Sequence, residues 1–200
     1  MEIRERLVEK NIDTYGPDLA RSYSAAGVFY DNQGKPKKAE KYYLDAIEIY
    51  ERLVKRNPDA YEPDLAKSYN NAGLFYSDQG QPEKAEKYYL AAIEIRERLV
   101  EKNAEVYEPD LAGSYGATGV FYHEQGQPEK AEKYYLDAIE IYERLVEKNA
   151  DVYEPELATL YYNYYLLKKD KTYLDKAYEI AKRRQDDPRC KIIVEFVESH

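Results

Sequence analysis

The segment Pro63–Asn103, "PDLAKSYNNAGLFYSDQGQPEKAEKYYLAAIEIRERLVEKN", carries two helical patterns around one glycine turn. In the first, the apolar or small residues Leu65, Tyr69, Ala72, Gly73 and Tyr76 fall on one face of a 3.6-residue helix. Pro63 suits a first helical turn, Asp64 complements the positive helix end, and Gly80 supplies a stop. In the second, Pro82 opens a helix that stacks Ala85, Tyr88, Tyr89, Ala92, Ile95 and Leu99 on one side. Glu94 and Arg98 add an i,i+4 pair in the favourable orientation. The spacing predicts a helical hairpin.

The hairpin recurs. Gly34, Gly80 and Gly126 are 46 residues apart, and Pro17, Pro63, Pro109 and Pro155 keep the same period. Copies run over residues 15–60, 61–106 and 107–152, and the second and third agree at 36 of 46 positions. A divergent fourth, 153–186, keeps the apolar spacing but lacks the Gln-Gly turn. Residues 187–200 then offer a start signal at Asp187 and Pro188, with Ile192, Ile193, Phe196 and Val197 on one side, as a terminal capping helix would. At the other end "MEIRERLVEKN" matches "IEIYERLVKRN" at 47–57, so 1–14 reads as a half repeat. One hairpin cannot bury this much apolar surface alone, so the copies are expected to stack into an all-α solenoid forming one domain over 1–200.

Composition agrees with a folded chain. Its 44% hydrophobic and 34% charged residues can build a real core, and 24 tyrosines, most at fixed offsets, are part of the repeat rather than scattered. The net charge of −9 gathers no basic block for a phosphate backbone, which argues against nucleic acid. A lone Cys190 excludes an internal disulfide and a multi-cysteine zinc site. No apolar run approaches the roughly 18 residues a membrane span needs, and the charged N-terminus is unlike a signal peptide. The expectation is a cytoplasmic protein with no membrane partner, no cofactor and no metal.

The series Tyr69, Ala72, Gly73, Tyr76, Gly80, Ala85, Tyr89 and Ala92 resembles the tetratricopeptide-repeat signature. It recurs in copies one to three and partly in copy four. The family unit is usually 34 residues, and the longer unit here is most similar to kinesin-light-chain-like repeats and their bacterial relatives. The resemblance implies a right-handed solenoid that presents the first helix of each hairpin to a concave groove and binds a protein or peptide segment. It also implies a role for an asparagine pair such as Asn70 and Asn71 in holding a ligand backbone. The matching pairs Ser24 with Ala25 and Gly116 with Ala117 do not continue that ladder.

Copies one to three all differ at four columns only: Arg21, Lys67 and Gly113; Ser24, Asn70 and Gly116; Asp31, Ser77 and His123; and Asn32, Asp78 and Glu124. All lie on the first helix, opposite the Leu65, Tyr69, Ala72 and Tyr76 face. Val28, Leu74, Val120 and Leu166 place an aliphatic residue within this stripe, and Tyr162 holds the Gly116 place in the fourth copy. Drift on a solvated face would touch the second helix too, where no column differs in all three copies. These positions are therefore expected to line a ligand-binding groove. Gly119 matches Gly27 and Gly73 and belongs to the fold. Gly113 and Gly116 are expected to open space for a ligand, so filling Gly116 should cost no stability. The acids Asp31, Asp78, Glu124 and Asp170 are expected near helix C-termini, against the dipole.

Catalytic constellations are thin. Neither His123 nor His200 belongs to an H-E-x-x-H pair, and "SYGATG" lacks the Lys-Ser or Lys-Thr of a phosphate loop. The expected function is a non-enzymatic interaction scaffold. The alternative is a self-assembly module or an accessory domain of a larger effector or enzyme. Ile3 and Leu7, with no preceding helix to cover them, would then mediate weak self-association.

Overall fold

A computed structural model of the chain describes residues 11–199. The half repeat with its Ile3 and Leu7 edge falls almost wholly outside these residues, as does His200. Contacts divide the chain into two compact units, Met1–Ala104 and Glu105–His200. The first holds α1 (Ile12–Asn32), α2 (Pro36–Val54), α3 (Pro58–Asp78) and α4 (Pro82–Lys102). The second holds α5 (Ala104–Glu124, its first residue at the boundary), α6 (Pro128–Lys148), α7 (Ala150–Lys168), α8 (Lys171–Arg183) and α9 (Pro188–Glu198). No strand occurs among the described residues.

The first helices begin about one and a half turns earlier than the proline signal predicts. α3 starts at Pro58, not Pro63, because the Asn57 side chain caps it, accepting from the Ala60 amide at 3.3 Å. Asn11 caps α1 in the same way, accepting from the Thr14 amide at 3.1 Å. Pro17, Pro63, Pro109 and Pro155 are thus inside their helices. Each removes one intrahelical hydrogen bond just beyond the first turn of its helix.

The hairpin turns follow the sequence. Gly34, Gly80 and Gly126 adopt φ of +65° to +66°, where a side chain would be strained. In the fourth hairpin Lys169 takes the left-handed place at φ 59°. Asp170 does not oppose a helix end as expected. It lies beyond the end of α7 and caps α8, accepting from the Thr172 amide at 2.9 Å.

Within a hairpin, the two helices approach through the invariant glycine. A Cβ at Gly73 would lie 2.9 Å from the Tyr89 ring, and one at Gly119 would lie 2.7 Å from Tyr135 Cδ1. Both tyrosines are core residues at 2% and 1% exposure, so even a methyl would overpack the site, costing about 1–3 kcal/mol. Between hairpins of the first unit, Phe75 packs on Tyr43 with ring centroids 5.3 Å apart. Tyr69 there donates to Glu51 at 2.7 Å, and the second unit repeats the bond between Tyr161 and Glu143. α9 packs on both α7 and α8, burying Cys190, Ile193 and Val194, so the terminal helix caps the second unit as expected.

Candidate functional site

The first helices of consecutive hairpins leave a recess in each unit. In the first unit α1 supplies Arg21, Ser24, Ala25 and Val28, and α3 supplies Asp64, Lys67, Ser68 and Asn71. Tyr50 of α2 completes the lining, and the volume is about 280 Å³. In the second unit α5 supplies Gly113, Gly116, Ala117 and Val120, α7 supplies Glu156, Thr159, Leu160 and Asn163, and α6 supplies Tyr142. The volume is about 220 Å³, with Ala112 and Arg189 as further lining. Every residue of the first recess, advanced by two repeats, is a residue of the second. The recess is a property of the repeat, while its chemistry is set by the columns that vary.

The first recess is lined by several charged and hydrogen-bonding side chains. Arg21 is tied to Asp18 at 2.5 Å, while Lys67 is exposed at the rim. Ser68 donates its hydroxyl to the Asp64 carbonyl at 2.9 Å. Burial, with Asp64 adding to it and Arg21 opposing it, pushes the Tyr50 hydroxyl up to about 12, so it stays a neutral hydrogen-bonding group. Two cations, two serines, an amide and one carboxylate suit the polar atoms of an extended segment, with an acidic side chain at the cationic rim.

The second recess has lost both cations: Gly113 and Thr159 stand where Arg21 and Lys67 do. Leu160 replaces Ser68, and it fills the room Gly116 leaves. A Cβ at Gly116 would sit 3.1 Å from Leu160 Cδ2, and Gly116 is buried. The room at Gly116 is thus bounded by Leu160, so a side chain added there requires Leu160 to give by a few tenths of an ångström. Gly113 does face open surface, where an added Cβ would meet only the Tyr142 hydroxyl at 3.7 Å. Burial pushes Tyr142 up to about 12, with Glu156 and Asp110 adding to it and Arg189 opposing it. Glu156 Oε1 accepts from Arg189 at 3.1 Å, but its Oε2 is buried with no hydrogen-bond partner.

Of the positions expected on the groove, Arg21, Ser24, Val28, Lys67 and Asn71 meet in one recess, and Gly113, Gly116 and Val120 in the other. Asn70 and Leu74 are on α3 outside the first recess, with Leu74 54% exposed. Asp31 and Asp78 lie near one another at the C-terminal ends of α1 and α3. Burial first and Asp78 second raise the Asp31 pKa. His123 stands edge-on to Tyr135 at 6.4 Å, and Glu124 is beside it in sequence. Tyr162 packs edge-on against Phe196 of the capping helix at 5.2 Å, away from the recess lining. Sequence reasoning missed Tyr50, Tyr142, Asp64 and Glu156. In the 46-residue period Tyr50 and Tyr142 share a column with Arg4 and Arg96, so the column alternates between arginine and tyrosine and gave only a weak signal for the recess.

Two family models described as tetratricopeptide repeat match the chain, one over residues 19–59 and one over 64–144, together more than half of it. The chain belongs to the tetratricopeptide-repeat family. Solved structures share its all-α solenoid fold. BtubC (BKLC) from P. vanneervenii is 23% identical with a TM-score of 0.65, covering 92% of this chain and 66% of its own. Aspartyl phosphate phosphatase F from Bacillus subtilis is 20% identical with a TM-score of 0.68, covering 91% and 45%. A Podosopora anserina protein described as a kinesin light chain with nearly identical TPR-like repeats is 17% identical, with a TM-score of 0.54, covering 86% and 81%. The chain thus spans just under two thirds of the first and less than half of the second. No curated protein matches it in sequence. Tetratricopeptide repeats generally mediate protein–protein interaction. No described helix is long and apolar enough to cross a membrane.

Proposed function

We propose that the chain is a non-enzymatic scaffold that holds a protein or peptide segment against the first helices of its repeats, using the recess of each unit to select side chains. The observation that carries this reading is the recurrence of one recess two repeats apart, with two of the four columns that differ between copies on its lining. The packed hairpins preorganise the surface, so the partner bears most of the ordering entropy. The functional groups favour binding over chemistry: the two recess tyrosines are held neutral, and the buried Cys190 thiol is pushed up to about 11 by burial, with Asp187 adding to it.

An array of random 12-residue peptides selects ligands, and calorimetry on the best of them tests the reading. Lys67→Glu should weaken binding by about fivefold or more and alter its salt dependence, while stability stays within about 0.5 kcal/mol. Ser24→Trp, which fills the first recess, should abolish it. Glu83→Lys, an equal charge change on exposed α4 surface, should leave it intact. Peptides that bind all three variants equally, or an array with no ligand, would remove the reading.

A further inference from the structure

We infer that the first hairpin carries a second docking surface, apart from the recess, that takes an amphipathic helix of another protein bearing a glutamate three residues before a tyrosine. The interface between the two hairpins of the first unit supplies the pattern. There Phe75 packs on Tyr43 of α2 with ring centroids 5.3 Å apart, while Tyr76 donates its hydroxyl to Glu40 at 2.9 Å and Lys84 pairs with the same carboxylate at 3.3 Å. Phe75, Tyr76 and Lys84 thus hold a helix by its Glu-x-x-Tyr motif. The second unit repeats the carboxylate contact, with Tyr164 and Lys168 donating to Glu132 at 2.9 and 2.8 Å.

Phe29, Tyr30 and Lys38 occupy the same three columns in the first hairpin. Phe29 is 55% exposed, where Phe75 is 2% exposed. Among the described residues, the Tyr30 hydroxyl has no hydrogen-bond partner and the Lys38 ammonium has no carboxylate. Their mutual geometry is nonetheless that of the occupied site. The Phe29 and Tyr30 rings are 5.3 Å apart, against 5.2 Å for Phe75 and Tyr76. Tyr30 stacks on Tyr42 at 5.4 Å as Tyr76 does on Tyr88 at 5.5 Å, and Lys38 lies over the Tyr30 ring as Lys84 lies over Tyr76. A surface already in its bound arrangement loses little freedom on docking. Charge distinguishes this hairpin too: Lys35, Lys37 and Lys38 stand where the second copy has Gln81, Glu83 and Lys84. The added positive charge suits an acidic helix. The folded chain does not itself supply one. The tyrosines of its three Glu-x-x-Tyr motifs, Tyr43, Tyr89 and Tyr135, are buried, and residues 1–10 contain no aromatic residue.

The probe is a synthetic peptide of residues 36–54, held helical by a lactam between Lys41 and Asp45, which already pair at 2.9 Å. It should shift the Phe29, Tyr30 and Lys38 amides of the isotope-labelled chain saturably. Tyr43→Ser in the peptide, or Phe29→Ser in the chain, should weaken binding about tenfold through the lost ring contact. Glu40→Gln in the peptide, and Tyr30→Phe or Lys38→Met in the chain, should each weaken it about threefold. Tyr30→Phe should add nothing once the peptide carries Glu40→Gln. Circular dichroism should be unchanged by the chain variants, since Phe29 and Lys38 are exposed and Tyr30→Phe keeps the stacked ring. Lys67→Glu should leave binding intact, so recess and docking surface are read separately. No saturable binding, or indifference to Phe29→Ser and Glu40→Gln, would overturn the inference. Shifts centred on Phe75 and Tyr76 would mean that the peptide replaces α2, and would overturn it as well. A dimer of the chain alone, seen by sedimentation and abolished by Phe29→Ser, would overturn it by assigning the surface to a second copy.

Discussion

The two recesses occupy one backbone frame and keep a tyrosine, an asparagine and a carboxylate in the same places, but differ at the other four polar positions. Ser24 and Ser68 face the first, whereas Gly116 and Leu160 stand in the same places in the second. The exchange is compensated: a larger residue on one helix is met by loss of the side chain on the other. Repetition therefore preserves the hairpin while pairs of columns on adjacent first helices trade volume and charge. Single-column variability overstates freedom at Gly116 and describes it correctly at Gly113.

The largest effect should come from undoing that trade. Leu160 is 6% exposed, and Leu160→Ser should cost about 2–4 kcal/mol through lost burial and the cavity left behind. Gly116→Ser alone should cost about 1 kcal/mol, because its Cβ would press on Leu160. The double variant recreates the serine pair of the first recess. It should lose about 1 kcal/mol less than the two single losses added together, measured by urea denaturation. Additive losses would break the claim that the recesses differ by a coupled exchange.

A smaller effect separates the units by pH. Asp187 caps α9 through the Arg189 amide and clamps the Arg189 guanidinium. Its hydrogen bonds to Arg189, against the opposing effect of burial, lower its pKa to about 2. A depressed carboxylate adds stability above its unfolded pKa near 4, and that stability is lost as pH falls through about 2. The α9 contact with the second recess should therefore survive to pH 3. The Arg189 and Cys190 amide resonances should titrate with a midpoint near 2, and Asp187→Asn should remove the transition. A midpoint near 4 would show that the clamp is not holding Arg189. The first recess has no counterpart of this helix among its lining residues.

The hairpins, their turns and the terminal cap were legible because each rests on local rules: helical periodicity, a left-handed glycine and an Asp-Pro start. The early helix starts were legible too, in the asparagines at 11, 57, 103 and 149, but proline was the louder signal. The recess was only half legible. Variable columns found the Arg21, Ser24 and Lys67 side of it. Tyr50 and Tyr142 come from the second helix, and Arg189 reaches in from a helix outside the repeat, so no periodicity on the first helix could place them. Tyr162 was assigned by column to the groove, yet Phe196 of the capping helix packs against it. A nonrepeating neighbour changes what a repeated position does.

The smallest effect tests the other half of the glycine comparison. Gly113 is exposed in the interior of α5, and a methyl added there meets no conflict because the Tyr142 hydroxyl is at an ordinary 3.7 Å. Gly113→Ala should therefore gain the helix-propensity difference, about 0.5–1 kcal/mol, and raise the thermal midpoint by about 2–4 °C. The same substitution at Gly119 meets the Tyr135 ring at 2.7 Å and should lower it. Opposite signs from one chemical change, six residues apart on one helix, would separate a glycine kept for packing from one that leaves the mouth of the recess open. If Gly113→Ala also destabilised the chain, the mouth of the recess would not be open at Gly113.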